Sequence, residues 1–453
     1  MIRSAIAILI VAGFLTPCPA EQPVQQRLKW WSDAKFGMFI HWGPYSLASV
    51  ETSWPIMNPD PKWNITQAEY EALPERFNPV EYDPDAWVRL ARDAGQRYMV
   101  FSSKLHDGFC MFDSSFTNYK ITNTPYGKDT IAMLAAACRK HDLPLGFYYS
   151  PPDMRHPGFR DTSKLAKENW KGEPWRPEWP SYLEYMELQL TELLTRYGPV
   201  AVLWFDGLRD REKYNPRRFF KLVRELQPDT LINNRIGVPA DFDTPEKFIP
   251  DGYPTKATAA QFANPRGSDA MAIGITKGGA YSKVPPPAEN FRPWETCMTI
   301  NETWAYNKND RNFKSPTVLI RMLVEVASKG GNLLLDVGPT PEGTIQPEFQ
   351  QRLREIGKWL KVNAEAIYGT TYGPLYDLPF GRSTAKGNTI YLHVFDWPHG
   401  KLEVNMRGRK AARVKSLAGD KVLPFHQSQN MLVIDVPAQA PDPHASVLEL
   451  ELR

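Results

Sequence analysis

The strongest constraint on this chain is an alternation. Up to about residue 370, short apolar runs with strand character take turns with amphipathic helical patterns, as in a parallel sheet joined by crossover helices. Strands are predicted at 36–42, 98–102, 145–149, 200–205, 230–233, 295–299 and 333–337. Among the helices, 181–197 places Leu183, Met186, Leu190, Leu193, Leu194 and Tyr197 on one face, with Gly198 set to end it. Asp83 and Pro84 cap and open another through Trp87 and Leu90, and 316–328 and 349–367 continue the series. The fold class is therefore α/β, and the length suits a (β/α)8-like, TIM-type barrel better than an open sheet. Seven strands can be proposed and an eighth cannot, so an irregular barrel is expected. The weakest stretch is 238–293, rich in proline, glycine and polar residues; such a segment inside a compact domain is usually functional or mobile.

After residue 367 the period changes. Short alternating runs at 389–395, 401–404, 412–417, 431–436 and 446–452 are separated by turn residues, the pattern of a small C-terminal β-sandwich. The expected organisation is a leader at 1–20, a catalytic barrel domain at 21–369 and a β-sandwich domain at 370–453.

The leader reads as a secretory signal. Arg3 supplies its charged start, 5–15 its apolar centre and Ala20 a small residue before the cut. The apolar run is too short for a permanent bilayer span, and no later segment is long and apolar enough to be one. Pro17 before Cys18 does not suit a lipid-anchor site. An exported protein without a membrane anchor is expected, periplasmic or extracellular, or lysosomal in a eukaryotic host. Cys110, Cys138 and Cys297 then remain, enough for one disulfide at most and equally compatible with buried free thiols. A net charge of +3 gives no reason to expect a nucleic-acid partner. The eight histidines are scattered without metal-ligand spacing, so neither a metal nor another cofactor is expected.

In a parallel barrel the C-terminal strand ends form the active site. The segment 203–207 (LWFDG) puts Asp206 at such an end, although an aspartate there could equally cap a helix or close a turn. Other strand ends are polar as well. His41 and Trp42 end the first strand, His106 follows the second, Tyr148 and Tyr149 end the third, Asn234 and Arg235 follow the fifth, and Glu295 belongs to a later one. The 14 Trp, 19 Tyr and 22 Phe include rings suited to stacking on a sugar, although such rings also fill cores. Two carboxylates from different strands point to glycosidic bond cleavage, one attacking the anomeric carbon and the other protonating the leaving oxygen. Their separation, roughly 5–5.5 Å for retention and about 6.5–9.5 Å for inversion, is not written in a sequence.

Six segments, in order along the mature chain, carry a resemblance: 31–43 (WSDAKFGMFIHWG), 104–109 (KLHDGF), 146–150 (GFYYS), 203–207 (LWFDG), 294–298 (WETCM) and 330–343 (GGNLLLDVGPTPEG). Together they resemble the α-L-fucosidases of glycoside hydrolase family 29. The resemblance implies a retaining mechanism on a barrel with a C-terminal β-sandwich, and a fucosylated glycan as substrate. Asp206 would be the nucleophile and Glu295 the general acid/base, with Glu289 and Glu302 as rivals for the second role. For that task burial or a neighbouring carboxylate must hold the acid's proton near neutral pH. His41, His106, Tyr149, Trp204 and Arg235 match positions that contact fucose, and Trp54 would line the same pocket. By residue type, Trp42 and Phe109 suit the apolar C6 methyl group. The segment 330–343 reads as structural.

Two departures bear on the sugar. Leu105 stands where the family commonly has a histidine, and in Glu51-Thr52-Ser53-Trp54 two residues separate a pair the family usually keeps adjacent. The same retaining chemistry on a related sugar is therefore one alternative. A non-catalytic carbohydrate-binding barrel is another, disfavoured because a binding module needs neither Asp206 nor Glu295.

Overall fold

A computed structural model describes residues 24–58, 60–207, 211–255 and 282–453. The expected leader lies outside them, as do residues 256–281 of the weakly patterned stretch.

Seven parallel strands form a curled sheet: β1 (Phe36–Ile40), β2 (Met99–Lys104), β3 (Leu145–Tyr149), β4 (Val202–Phe205), β5 (Leu231–Ile232), β6 (Glu295–Thr299) and β7 (Asn332–Val337). Their spatial order is β5-β4-β3-β2-β1-β7-β6. Every residue of all seven strands is buried. Lumen on one side and helices on the other leave no solvent face, which is why the strands read as apolar runs rather than alternations. Each large side chain so buried contributes about 1.5–3 kcal/mol of transfer free energy.

The helices start and stop as their residues dictate. Asp83 accepts from the Ala86 N–H at 3.0 Å to cap Pro84–Asp93, and Pro84 sits where no donor is needed. Ser315 caps Pro316–Ser328 in the same way. Helix Trp179–Arg196 buries Tyr182, Met186, Gln189, Leu190 and Leu193. Gly198 follows it at φ 88°, a left-handed turn that glycine adopts without strain.

The gap between β5 and β6 is spanned by residues 242–246. Single parallel bridges join Asn233 to Phe242 on one side, and Asp243 to Trp294 and Glu246 to Cys297 on the other. The eighth barrel position is thus filled by an irregular stretch. Pro245 lacks a ladder donor, and Asp241, Asp243 and Glu246 break the apolar pattern, so nothing there resembles a strand in sequence.

Beyond the barrel two antiparallel sheets face each other. Six strands, β8 (Thr371–Tyr372), β9 (Gly381–Lys386), β10 (Thr389–Val394), β12 (Ala411–Ser416), β13 (Lys421–Val422) and β16 (Ser446–Leu452), form the larger. Strands β11 (Lys401–Asn405), β14 (Phe425–Ser428) and β15 (Met431–Asp435) form the smaller. Leu402, Val404, Leu432 and Ile434 from the small sheet pack with Ile390, Leu392, Leu448 and Leu450 from the large one in a second core. Arg321 donates to the carbonyls of Phe395 and His444, and the Trp359 indole to that of Ala445, tying this layer to the barrel helices. Cys110, Cys138 and Cys297 are free and buried. No described helix is long and apolar enough to cross a membrane.

Candidate active site

Because side chains two apart on a strand share a face, Trp204 and Asp206 both enter the barrel lumen from β4. Asp206 lies just past the strand end with 18% of its side chain exposed, and three groups converge on it. Arg235 donates from Nη1 to Oδ1 at 2.6 Å, the Tyr148 hydroxyl donates to Oδ2 at 3.0 Å, and His106 Nε2 stands 3.8 Å from Oδ2. Burial by itself would raise the Asp206 carboxyl. Arg235, His106 and the hydrogen bonds from Arg235 and Tyr148 outweigh it and hold the group below the usual carboxylate range. The next residue, Gly207, turns at φ 77°, and a Cβ there would meet His106 Cε1 at 2.7 Å. Glycine is required both for the turn and for the approach of the histidine.

Arg235 is itself held on several sides. Its Nε donates to Thr244 Oγ1 and its Nη2 to the Thr244 carbonyl, each at 3.1 Å. Its Nη1, already bonded to Asp206, also lies 2.9 Å from Glu246 Oε2. One guanidinium nitrogen therefore joins two carboxylates, one from β4 and one from the irregular eighth stretch. Glu246 is 29% exposed at the mouth. The guanidinium lies 4.8 Å from the centroid of the Trp204 ring, which stacks on Tyr148 at 5.6 Å and 20°.

On the opposite side, His41 directly follows β1, with Nδ1 at 2.7 Å from Asp336 Oδ1 of β7. Burial pushes the imidazole down to about 3 and the Asp336 carboxyl well above its usual range. Trp304 lies 5.3 Å from the His41 ring, and its backbone N–H donates to Glu51 at 2.9 Å. Burial raises the Glu51 carboxyl to about 7. His106 Nδ1 is fixed by the Ser150 hydroxyl at 2.5 Å.

The structure thus gathers Asp206, His41, His106, Trp204 and Arg235 into one cluster. Trp54 opens the short helix Trp54–Met57, half-buried, with its N–H bonded to the Glu51 carbonyl. Three expected residues stand elsewhere. Tyr149 points out of the barrel, where its hydroxyl donates to Gln189 at 2.9 Å and Lys104 lies over its ring; Tyr148 holds the inward position. Trp42 packs outside the lumen among Phe77, Tyr82 and Trp87, with its indole bonded to the Thr340 carbonyl. Phe109 is buried edge-on against Tyr119.

Glu295 departs furthest from expectation. It opens β6 rather than ending it, so it belongs to the N-terminal floor of the barrel. It is fully buried and accepts hydrogen bonds from the Tyr98 hydroxyl, from Trp31 Nε1 at 3.4 Å and from Trp204 Nε1 at 3.2 Å. Burial pushes its carboxyl up to about 7 despite these three donors. The Trp204 indole lies between this carboxyl and the groups around Asp206. Sequence reading passed over Glu246, Asp336 and Trp304. For Glu246 one signal was available: a carboxylate shortly after Arg235 in a stretch already marked as functional.

Comparison with known proteins agrees with this architecture. A family model described as Alpha-L-fucosidase matches residues 18–365. An α-L-fucosidase of Branchiostoma floridae is 28% identical over 433 residues, covering 87% of this chain and 86% of that one. Among solved structures, α-L-fucosidase isoenzyme 1 from Paenibacillus thiaminolyticus superposes with a TM-score of 0.81 at 35% identity, over 95% of this chain and 99% of that one. The Thermotoga maritima α-fucosidase in complex with a mechanism-based inhibitor gives 0.73 at 29% identity, over 93% and 96%.

Proposed function

The chain belongs to the α-L-fucosidase family and is a glycoside hydrolase; from that premise we propose that it is an exported, retaining exo-enzyme that removes terminal α-L-fucosyl residues from glycans through a covalent intermediate on Asp206. One observation carries the retaining reading. The oxygens of Asp206 and Glu246 share a single arginine nitrogen at 2.6 and 2.9 Å. Those two oxygens therefore lie no more than about 5.5 Å apart, which favours the retaining geometry over the wider inverting one.

The roles follow from the chemistry of each group. Asp206, kept ionised by Arg235, His106 and Tyr148, attacks the anomeric carbon as the glycosidic C–O bond breaks. Glu246, entering this step in its protonated form, gives that proton to the departing oxygen and is left as a carboxylate. Water then attacks the same carbon, Glu246 takes a proton from it, and Asp206 leaves as a carboxylate. We assign this acid/base role to Glu246 rather than Glu295, because a general acid must reach the leaving oxygen, and the buried Glu295 lies beneath the Trp204 indole. His41, its Nδ1 engaged by Asp336, offers Nε2 to a sugar hydroxyl, and Trp204 supplies the apolar floor. Leu105, buried beside His106, keeps a related sugar as the second reading, since it offers no hydrogen bond. The leader at 1–20 and the division at residue 370 belong to the same proposal.

The test is nitrophenol release from aryl α-L-fucoside and aryl α-galactoside by the mature protein, beside Asp206→Ala and Glu246→Ala. Turnover of the fucoside alone, lost in Asp206→Ala and recovered by azide in Glu246→Ala, is expected. Preference for the galactoside would move the assignment to the related sugar.

A further inference from the structure

The residues beneath the catalytic cavity form a second polar arrangement that the mechanism leaves unused. Trp31 comes from the N-terminal helix Val24–Ala34, Tyr98 immediately precedes β2, and Asn332 opens β7. Asn332 Nδ2 donates to the Trp31 carbonyl at 2.7 Å and reaches the Tyr98 hydroxyl at 3.4 Å. The Tyr98 ring occupies the space beside Gly37, where a Cβ would stand 2.5 Å from it. All of this surrounds Glu295, whose Oε2 receives Tyr98 and Trp31 and whose Oε1 receives the Trp204 indole N–H.

We propose that Glu295 is a positioning residue that sets the orientation of Trp204, and through it the Arg235 and Tyr148 groups that hold the nucleophile. An indole N–H is a donor with no alternative role, and inside the barrel it needs an acceptor; Glu295 supplies it. With that bond fixed, the indole ring has Arg235 at 4.8 Å and Tyr148 at 5.6 Å. Those two groups bind Asp206 at 2.6 and 3.0 Å. Each link from floor to nucleophile is a direct contact. The carboxyl can play this part in either protonation state. Two of its three neighbours are pure donors, so an added proton is directed at the Tyr98 oxygen and Oε1 stays free to accept from Trp204.

This rests on the hydrolase reading above, and the experiment separates the two. Wild type, Glu295→Gln, Glu295→Leu and Trp204→Phe are compared on aryl α-L-fucoside, with the folded fraction measured by near-ultraviolet circular dichroism. Glutamine keeps an acceptor for the indole and retains kcat/KM within about threefold, whereas leucine lowers it about 100-fold per folded molecule, the scale of a misplaced catalytic group. Trp204→Phe keeps the ring, loses the N–H and shows a comparable loss, and the Glu295→Leu/Trp204→Phe double variant loses little more than either single one. If leucine prevents folding, Trp204→Phe and the glutamine rescue still decide. A folded Glu295→Leu enzyme with wild-type kcat/KM overturns the positioning role, as does full activity in Trp204→Phe. A Glu295→Gln enzyme as impaired as the leucine one, and restored by azide, makes Glu295 the acid/base and overturns both this role and that of Glu246. Failure of the wild type to turn over the fucoside or fucosylated oligosaccharides counts against the hydrolase reading itself.

Discussion

Replacing Glu295 with glutamine is expected to change how stability depends on pH, with a sign and size that follow from where the residue sits. Burial lifts its carboxyl from 4.5 to about 7, and the side chain has no solvent exposure to screen the effect. A carboxyl raised on folding favours the folded state fully below its unfolded value, and loses that advantage as pH climbs through the folded one. The window is therefore pH 4.5 to about 7. At about 1.4 kcal/mol per unit the loss across it amounts to about 3 kcal/mol. Glutamine at the same place does not titrate. Urea unfolding of both proteins, followed by tryptophan fluorescence in half-unit steps from about pH 4 to 8, isolates this residue, because Glu51, Asp107 and Asp336 titrate alike in both. Stability of the wild type relative to the variant should fall by about 3 kcal/mol, most of it between pH 5 and 7. A flat difference, or a rise with pH, would refute the argument that Glu295 is buried without a compensating cation.

Three further outcomes follow. Lys104→Met strands the buried Asp153 charge, now 3.2 Å from the ammonium, and should cost about 3–5 kcal/mol by urea unfolding, much of it recovered by adding Asp153→Leu. Gly207→Ala forces a left-handed conformation and a contact with His106, so it should lose about 1–3 kcal/mol of stability and lower kcat/KM as well. Tyr148→Phe removes a hydrogen bond to a charged carboxylate and should lower kcat/KM by about 10- to 100-fold, whereas Tyr149→Phe, on the outer face, should stay within about threefold.

These contrasts show where the sequence was legible. Strands β1–β7 stood out because both their faces are buried, and the cap at Asp83 marks its helix by residue type alone. Strand β9 was missed because its residues, GRSTAK, carry no apolar alternation, although β10 pairs with it along its whole length. In the run at 147–149 nothing polar phases the two-residue period, so choosing between Tyr148 and Tyr149 needed the fold. The case of Glu295 is different, because the information was present. A carboxylate that begins an apolar run faces the floor of a parallel barrel, and one that follows such a run faces the mouth. Asp206 satisfied that rule and Glu295 did not. Glu246 was hidden because it lies on a segment that reaches the barrel through single bridges rather than as a regular strand.

The central claim is a covalent intermediate on Asp206. Incubating the enzyme with a 2-deoxy-2-fluoro-α-L-fucosyl donor bearing a good leaving group, then digesting it and sequencing the labelled peptide by mass spectrometry, tests it most directly. The account predicts one fluorofucosyl group per active site, esterified to Asp206. No label on an enzyme that turns over aryl α-L-fucoside to the inverted anomer, or a label on a different residue, would contradict it.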